Sequence, residues 1–190
     1  MMRKWLLILL LIIIAGCHVK GIRNISPVQQ VILSGPSLEK EFKTYSLIIP
    51  KTWYSYKEVH GNIMHSPKVM RERSDNFYRN NFYAFDYSPK ICKAKNIEAL
   101  FEYYLKKKKE IYPNIVFTPK KMRHEKYGVF YLVKYGTSWS KETLFTNIDV
   151  LFHYKNKNFE LSYTSENKYY DEFINDVEGI IKSFKIKEPN

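Results

Sequence analysis

The sequence predicts an α+β sandwich, in which a mostly antiparallel sheet is covered by two long amphipathic helices. Three observations predict it. Short β-rich segments follow one another across brief turns, which is the pattern of an antiparallel meander. Two segments, about 96–112 and 168–184, carry apolar residues at helical spacing and must bury that stripe on the sheet. The chain of 190 residues is 45% hydrophobic and 16% aromatic, which is enough for one core and too little for two sizeable domains. With 7 glycines and 8 prolines it is neither collagen-like nor linker-dominated.

The elements follow in order. Met1–Trp5 carry Arg3 and Lys4, Leu6–Ala15 is apolar, and Gly16-Cys17 closes the run. A basic start, a short apolar stretch and small residues at its end predict a secretory signal peptide over 1–16. The apolar run is about half of the roughly 20 residues that a membrane-spanning helix needs. Ile14-Ala15-Gly16-Cys17 resembles a bacterial lipobox. That resemblance implies a diacylglycerol on the Cys17 thiol, cleavage before it, and usually acylation of the new amino group. Several acyl chains anchor stably, since each buried CH₂ contributes about 0.8 kcal/mol. His18 follows in place of the aspartate of the best-known inner-membrane retention signal, so an outer membrane facing the periplasm is expected if the cell has one.

Residues 17–41 read as the lipidated cysteine and a tether, broken by Ser34-Gly35-Pro36-Ser37, with Val28–Leu33 apolar enough for a short strand. The domain is expected over 42–186, with 187–190 as a tail. Tyr45–Pro50 reads as a strand closed by proline, and Trp53–Lys57 as the next. Residues 58–80 are polar and punctuated, which predicts a hairpin and a loop. Asn81–Tyr87 is again a strand. Asn96 is a suitable N-cap for a helix carrying Ile97, Leu100, Phe101, Tyr104, Leu105, Ile111 and Tyr112 on one face. Pro113 ends it. Ile115–Thr118 reads as a short strand and Lys126–Tyr135 as a long one. Thr143–Tyr154 alternates, placing Leu144, Ile148, Val150 and Phe152 opposite Asn147, Asp149 and His153. Lys155–Asn158 is a turn, and Phe159–Tyr163 returns as the partner strand. The last helix carries Tyr170, Phe173, Ile174, Val177, Ile181 and Phe184 on its buried stripe.

Three pieces resemble the PsbP-like superfamily, which includes photosystem accessory proteins, a nuclear import factor and bacterial envelope lipoproteins. They are Tyr45-Ser-Leu-Ile-Ile-Pro-Lys-Thr-Trp53, the helix beginning Ile97-Glu-Ala-Leu-Phe-Glu-Tyr-Tyr104, and Phe159-Glu-Leu-Ser-Tyr-Thr164 followed by Phe173 and Ile180–Lys185. The resemblance spans about 42–186. It implies an α-β-α sandwich and an accessory or binding role, and it carries over no catalytic residue, since fold does not set function.

The chain holds 31 lysines and arginines against 19 acidic residues, a formal charge of +12. In an envelope compartment that charge faces anionic lipid, acidic glycan or acidic protein, not nucleic acid. The densest run is Lys106–Lys109. Lys106, Lys107 and Lys109 are the candidate contacts for an anionic surface. Lys108 falls nearest the apolar stripe, in line with Tyr104 and Leu105, where its stem snorkels. The alternative for the run is a solvated helix end.

Neither HExxH, GxSxG, a P-loop nor GxGxxG occurs. Among His18, His60, His65, His124 and His153, only His60 and His65 share a loop region, at no standard zinc spacing, so no metal and no cofactor is expected. Asp149 and Glu160 form the one acidic pair on neighbouring strands that brings a glycosidase to mind, and their alternation reads as surface charge. Cys92 is left alone once Cys17 is acylated, and reads as a buried thiol without a nucleophile's signature. The expected function is non-covalent binding by a membrane-tethered envelope module, with an envelope protein or an anionic surface component as partner. A small-ligand or lipid carrier and an envelope hydrolase are the alternatives.

Overall fold

The computed structural model describes residues 37–57, 62–70, 80–138 and 140–188. The expected signal peptide, the lipobox-like segment with Cys17, most of the expected tether with Val28–Leu33, His18 and His60 lie outside the described residues, as do 71–79 of the expected loop.

Ten strands and two helices alternate in the described chain. They are β1 (Ser37–Glu41), β2 (Tyr45–Pro50), β3 (Trp53–Lys57), β4 (Ile63–Pro67), β5 (Asn80–Tyr87), α1 (Ile97–Ile111), β6 (Thr118–His124), β7 (Gly128–Ser138), β8 (Leu144–Tyr154), β9 (Lys157–Glu166), α2 (Asn167–Ser183) and β10 (Lys185–Ile186). Seven strands form one sheet in the order β3-β4-β5-β9-β8-β7-β6, and β1-β2-β10 form a small second sheet. Every pairing is antiparallel.

Two expectations about the elements need correction. Ser37–Glu41, assigned to the tether, is a strand that pairs with β2 from Ser37↔Pro50 to Glu41↔Ser46. The short strand expected at Ile115–Thr118 lies further on, as β6. Its residues Thr118 to Arg123 are all exposed, so no alternation betrays it. Pro119 sits there without harm because β6 is the edge of the sheet, where a missing N–H costs no ladder bond.

Both faces of the large sheet are covered, and the period-2 alternation of its strands divides their side chains between the two. On one face Phe82, Val150, Phe152, Phe159, Leu161 and Tyr163 pack with β2 residues Leu47 and Ile49 and with Phe173, Val177, Ile180 and Phe184 of the α2 end. Trp53 fills this core edge-on to Phe173 at 6.3 Å and donates its indole N–H to Asp176 at 2.8 Å. On the other face α1 lays Ile97, Leu100 and Tyr104 on Val133, Tyr135 and Leu151, with the buried Cys92 beside them. Asn96 caps α1, its side chain accepting from the Ala99 N–H at 2.8 Å. Ile111, expected on the buried stripe, is 65% exposed, because the stripe of α1 ends one turn earlier at Lys108.

The β8–β9 hairpin sets the register of the centre. Lys155 and Asn156 have φ of 46° and 61°, the left-handed pair that a tight hairpin turn requires. From that turn, Leu151 stands opposite Glu160 and Asp149 opposite Ser162. The two carboxylates therefore share the face that α1 covers.

Candidate functional site

The sequence reading placed Asp149 and Glu160 on the surface. The structure corrects this: Asp149 has no exposure and Glu160 is 4% exposed. The physical reason is α1. Polar residues alternating with apolar ones face solvent only when one side of a sheet is open, and here α1 closes that side.

What makes the burial tolerable is Lys108. Helical spacing puts it one turn beyond Tyr104, over the middle of the sheet. Its stem does not carry the ammonium outward. The charge turns inward and lies 2.8 Å from Asp149 Oδ2 and 3.1 Å from Glu160 Oε1. The same nitrogen donates to the Tyr135 hydroxyl at 3.1 Å. Tyr104 donates to Asp149 Oδ2 at 2.6 Å, and Tyr135 donates to the same oxygen at 3.0 Å. Tyr87 donates to Glu160 Oε2. Lys108 also lies 5.2 Å from the Tyr104 ring centre and 5.5 Å from that of Tyr135, within cation–π range.

The electrostatics follow from burial and charge count. Burial works against the Lys108 ammonium, yet the Asp149 and Glu160 carboxylates hold its pKa well above the ordinary lysine value. Burial, aided by the nearby Asp149 charge, pushes the Glu160 carboxyl up, against the pull of Lys108 and of the Tyr87 hydrogen bond. Burial and the adjoining carboxylates likewise push the Tyr83, Tyr87, Tyr104 and Tyr135 hydroxyls up, so they stay neutral donors. Two carboxylates thus meet one lysine.

Lys108 and Glu160 of this cluster line a cleft of about 370 Å³. Tyr83, Phe85 and Tyr87 of β5 line one wall, Met64 of β4 and Asn62 lie beyond them, and Lys107, Lys108 and Ile111 of α1 line the other. Glu160 lies at the base; Asp149 does not reach the lining. The aromatic wall is braced by edge-to-face contacts, Phe85 on Tyr87 at 4.9 Å and Tyr87 on Tyr103 at 5.8 Å. The arrangement offers oxygen acceptors at the bottom, ring faces on one side and aliphatic carbon at the rim.

The predicted site residues fall differently. Lys106, Lys107 and Lys109 are all exposed on α1. Lys107 holds Glu110 at 2.8 Å and borders the cleft. His65, read as part of a surface loop, is a buried residue of β4 whose Nδ1 lies 2.9 Å from Ser55 Oγ. Cys92 is buried, 2% exposed. The Lys108–Asp149–Glu160 cluster was missed as a unit. Its one signal in the sequence was a lysine at a stripe position.

No family model and no curated protein matches the chain. Solved structures do. Cyanobacterial PsbP (CyanoP) from Synechocystis sp. PCC 6803 superposes with a TM-score of 0.53 at 7% identity, over 80% of this chain and 92% of that one. A Bacteroides thetaiotaomicron protein gives 0.48 at 16% identity, over 81% of this chain and 49% of that one. LpqN of Mycobacterium tuberculosis gives 0.47 at 11% identity, over 80% and 91%. The likeness to CyanoP gives the chain a PsbP-like fold, and at 7% identity it is a likeness of fold alone.

Proposed function

We propose that this chain is a lipid-anchored envelope protein that works by non-covalent binding, and that the cleft between α1 and β5 is where it binds. The observation that carries the reading is the buried Lys108–Asp149–Glu160 cluster opening, through Glu160, onto a cleft of about 370 Å³. That volume lies in the range of small-molecule sites, about 300–1,000 Å³. A cluster of buried charges is costly to keep, and replacing it with apolar residues of similar volume is often neutral or stabilising. Recognition of a ligand gives it a use.

The chemistry of the cleft favours binding over hydrolysis. A glycosidase needs two carboxyl groups flanking the bond it breaks. Only Glu160 meets the cleft; Asp149 lies behind Lys108 and bonds to it, Tyr104 and Tyr135. A small-ligand carrier is thus the form of binding that the geometry supports best. A second reading, an accessory module that docks on an acidic partner, is favoured by the exposure of Lys106, Lys107 and Lys109.

Anchoring rests on the lipobox, Ile14 to Cys17. Cys17→Ala is expected to move the protein from the membrane to the soluble fraction. If fractionation shows no change, the anchor is not at Cys17. Crosslinking in intact cells separates the two binding readings. One near-stoichiometric protein partner, still captured when Met64→Trp fills the cleft, favours the docking module over the carrier.

A further inference from the structure

We infer that the cleft takes an organic ammonium group, with its positive head against Glu160 and the rings of Tyr83, Phe85 and Tyr87. The inference rests on the cleft being the binding site and names the chemistry of its ligand.

The hydrogen-bond count decides the sign of the ligand. Lys108 has three N–H donors, and all three are spent, on Asp149, Glu160 and Tyr135. Lys108 therefore keeps no donor for an anion entering the cleft. Tyr87 spends its hydroxyl proton on Glu160. What remains at the floor is acceptor capacity. Each Glu160 oxygen accepts one hydrogen bond, from Lys108 and from Tyr87, and a carboxylate has about four acceptor sites.

The charge count agrees. With Glu160 ionised, the state a bound cation would favour, Asp149 and Glu160 carry two negative charges against the one of Lys108, and Asp149 Oδ1 is buried with no hydrogen-bond partner among the described residues. One positive charge in the cleft would complete the neutralisation. Lys107 does not supply it. Its side chain is 52% exposed at the rim and is paired with Glu110. The wall supplies the rest of the recognition. Aromatic faces attract a desolvated ammonium through their quadrupole, and rings beside a carboxylate are how proteins hold quaternary amines. Met64 and Ile111 offer carbon to the alkyl part of such a ligand.

The test uses the full-length chain in dodecyl maltoside micelles, labelled at methionine and isoleucine methyls. Met64 and Ile111 line the cleft and report its occupancy. Three probes of matched shape are titrated: choline, its uncharged isostere 3,3-dimethyl-1-butanol, and the anion 3,3-dimethylbutyrate. Saturable shifts of both methyls are expected, with choline bound at least about tenfold more tightly than the alcohol. Glu160→Gln, which keeps size and hydrogen bonding, is expected to bring choline and the alcohol to within about twofold of each other. Equal or tighter binding of the alcohol or the acid overturns the ammonium assignment and leaves the cleft as a binding site. No shift with any of the three removes the cleft reading itself. The probe series on the unaltered chain decides even if the variant does not fold. Glycerophosphocholine then separates the sources: binding at least as tight as choline assigns a lipid headgroup, and weaker binding assigns a free amine.

Discussion

Lys108 Nζ lies 2.8 Å from Asp149 Oδ2, and the carboxylate it meets has no exposure to solvent. The pair joins the last turn of α1 to an interior strand of the large sheet. It is therefore a structural bond, and Lys108 also lines the cleft. Removing Lys108 leaves two carboxylates buried without a counter-ion, whereas removing Asp149 leaves Lys108 paired with Glu160, and that asymmetry governs what substitutions do here.

Lys108→Met keeps the length of the stem and removes the charge. Asp149 and Glu160 are then buried together with no counter-ion. A loss of about 3–5 kcal/mol at neutral pH is expected, the usual cost of breaking a buried pair. The remedy is protonation of the carboxylates, so the loss should shrink as pH falls. Chemical denaturation of the variant at pH 5 and at pH 7.5 checks both the size and the direction.

Glu160→Gln has the opposite sense. Burial and Asp149 raise the Glu160 pKa in the folded chain above its ordinary value near 4.5. A raised folded value means that the group's contribution is complete below the unfolded pKa and is lost as pH rises through the folded one. Glutamine does not ionise and escapes that loss. The melting temperature of the variant minus that of the parent should grow from pH 4.5 to pH 8. A difference that is flat across this window contradicts the raised pKa.

Tyr104→Phe removes one of the donors to Asp149 Oδ2, at 2.6 Å, and leaves the ring packed under α1. Hydrogen bonds to charged groups contribute about 1.5–3 kcal/mol, so a loss in that range is expected from urea denaturation. Tyr135 and Lys108 still bind the same oxygen, which keeps the fold intact.

The β8–β9 turn offers a stabilising change. Lys155 and Asn156 both hold positive φ. Asparagine and glycine are the preferred pair in such turns, so Lys155→Asn with Asn156→Gly should raise stability by about 1 kcal/mol. Thermal unfolding of the double variant reads it directly.

Much of the fold was legible because particular residues announce it. Tyr45–Pro50 and Trp53–Lys57 match their strands residue for residue. Asn96 begins α1 as a cap does, and Lys155-Asn156 turns the central hairpin. The elements that escaped are the polar ones. Ser37–Glu41 and Thr118–His124 lie at sheet edges, where pairing comes from backbone bonds and side chains need no apolar face. The site escaped for a different reason. Asp149 alternates with Ile148 and Val150, and Glu160 with Phe159 and Leu161, which reads as a sheet half in water. Periodicity reports which residues share a face, and it does not report what covers that face. Lys108 was the clue, since a lysine at a stripe position either snorkels or meets a buried acid, and only the tertiary structure distinguishes the two.

The central claim is that the cleft above Glu160 holds a small ligand. The most direct measurement is native mass spectrometry of the protein purified from its own membranes, beside a Met64→Trp variant that fills the cleft. The account predicts a small molecule retained one-to-one by the parent chain and lost from the variant. Equal retention by both, or a parent chain that carries no small molecule, would contradict it.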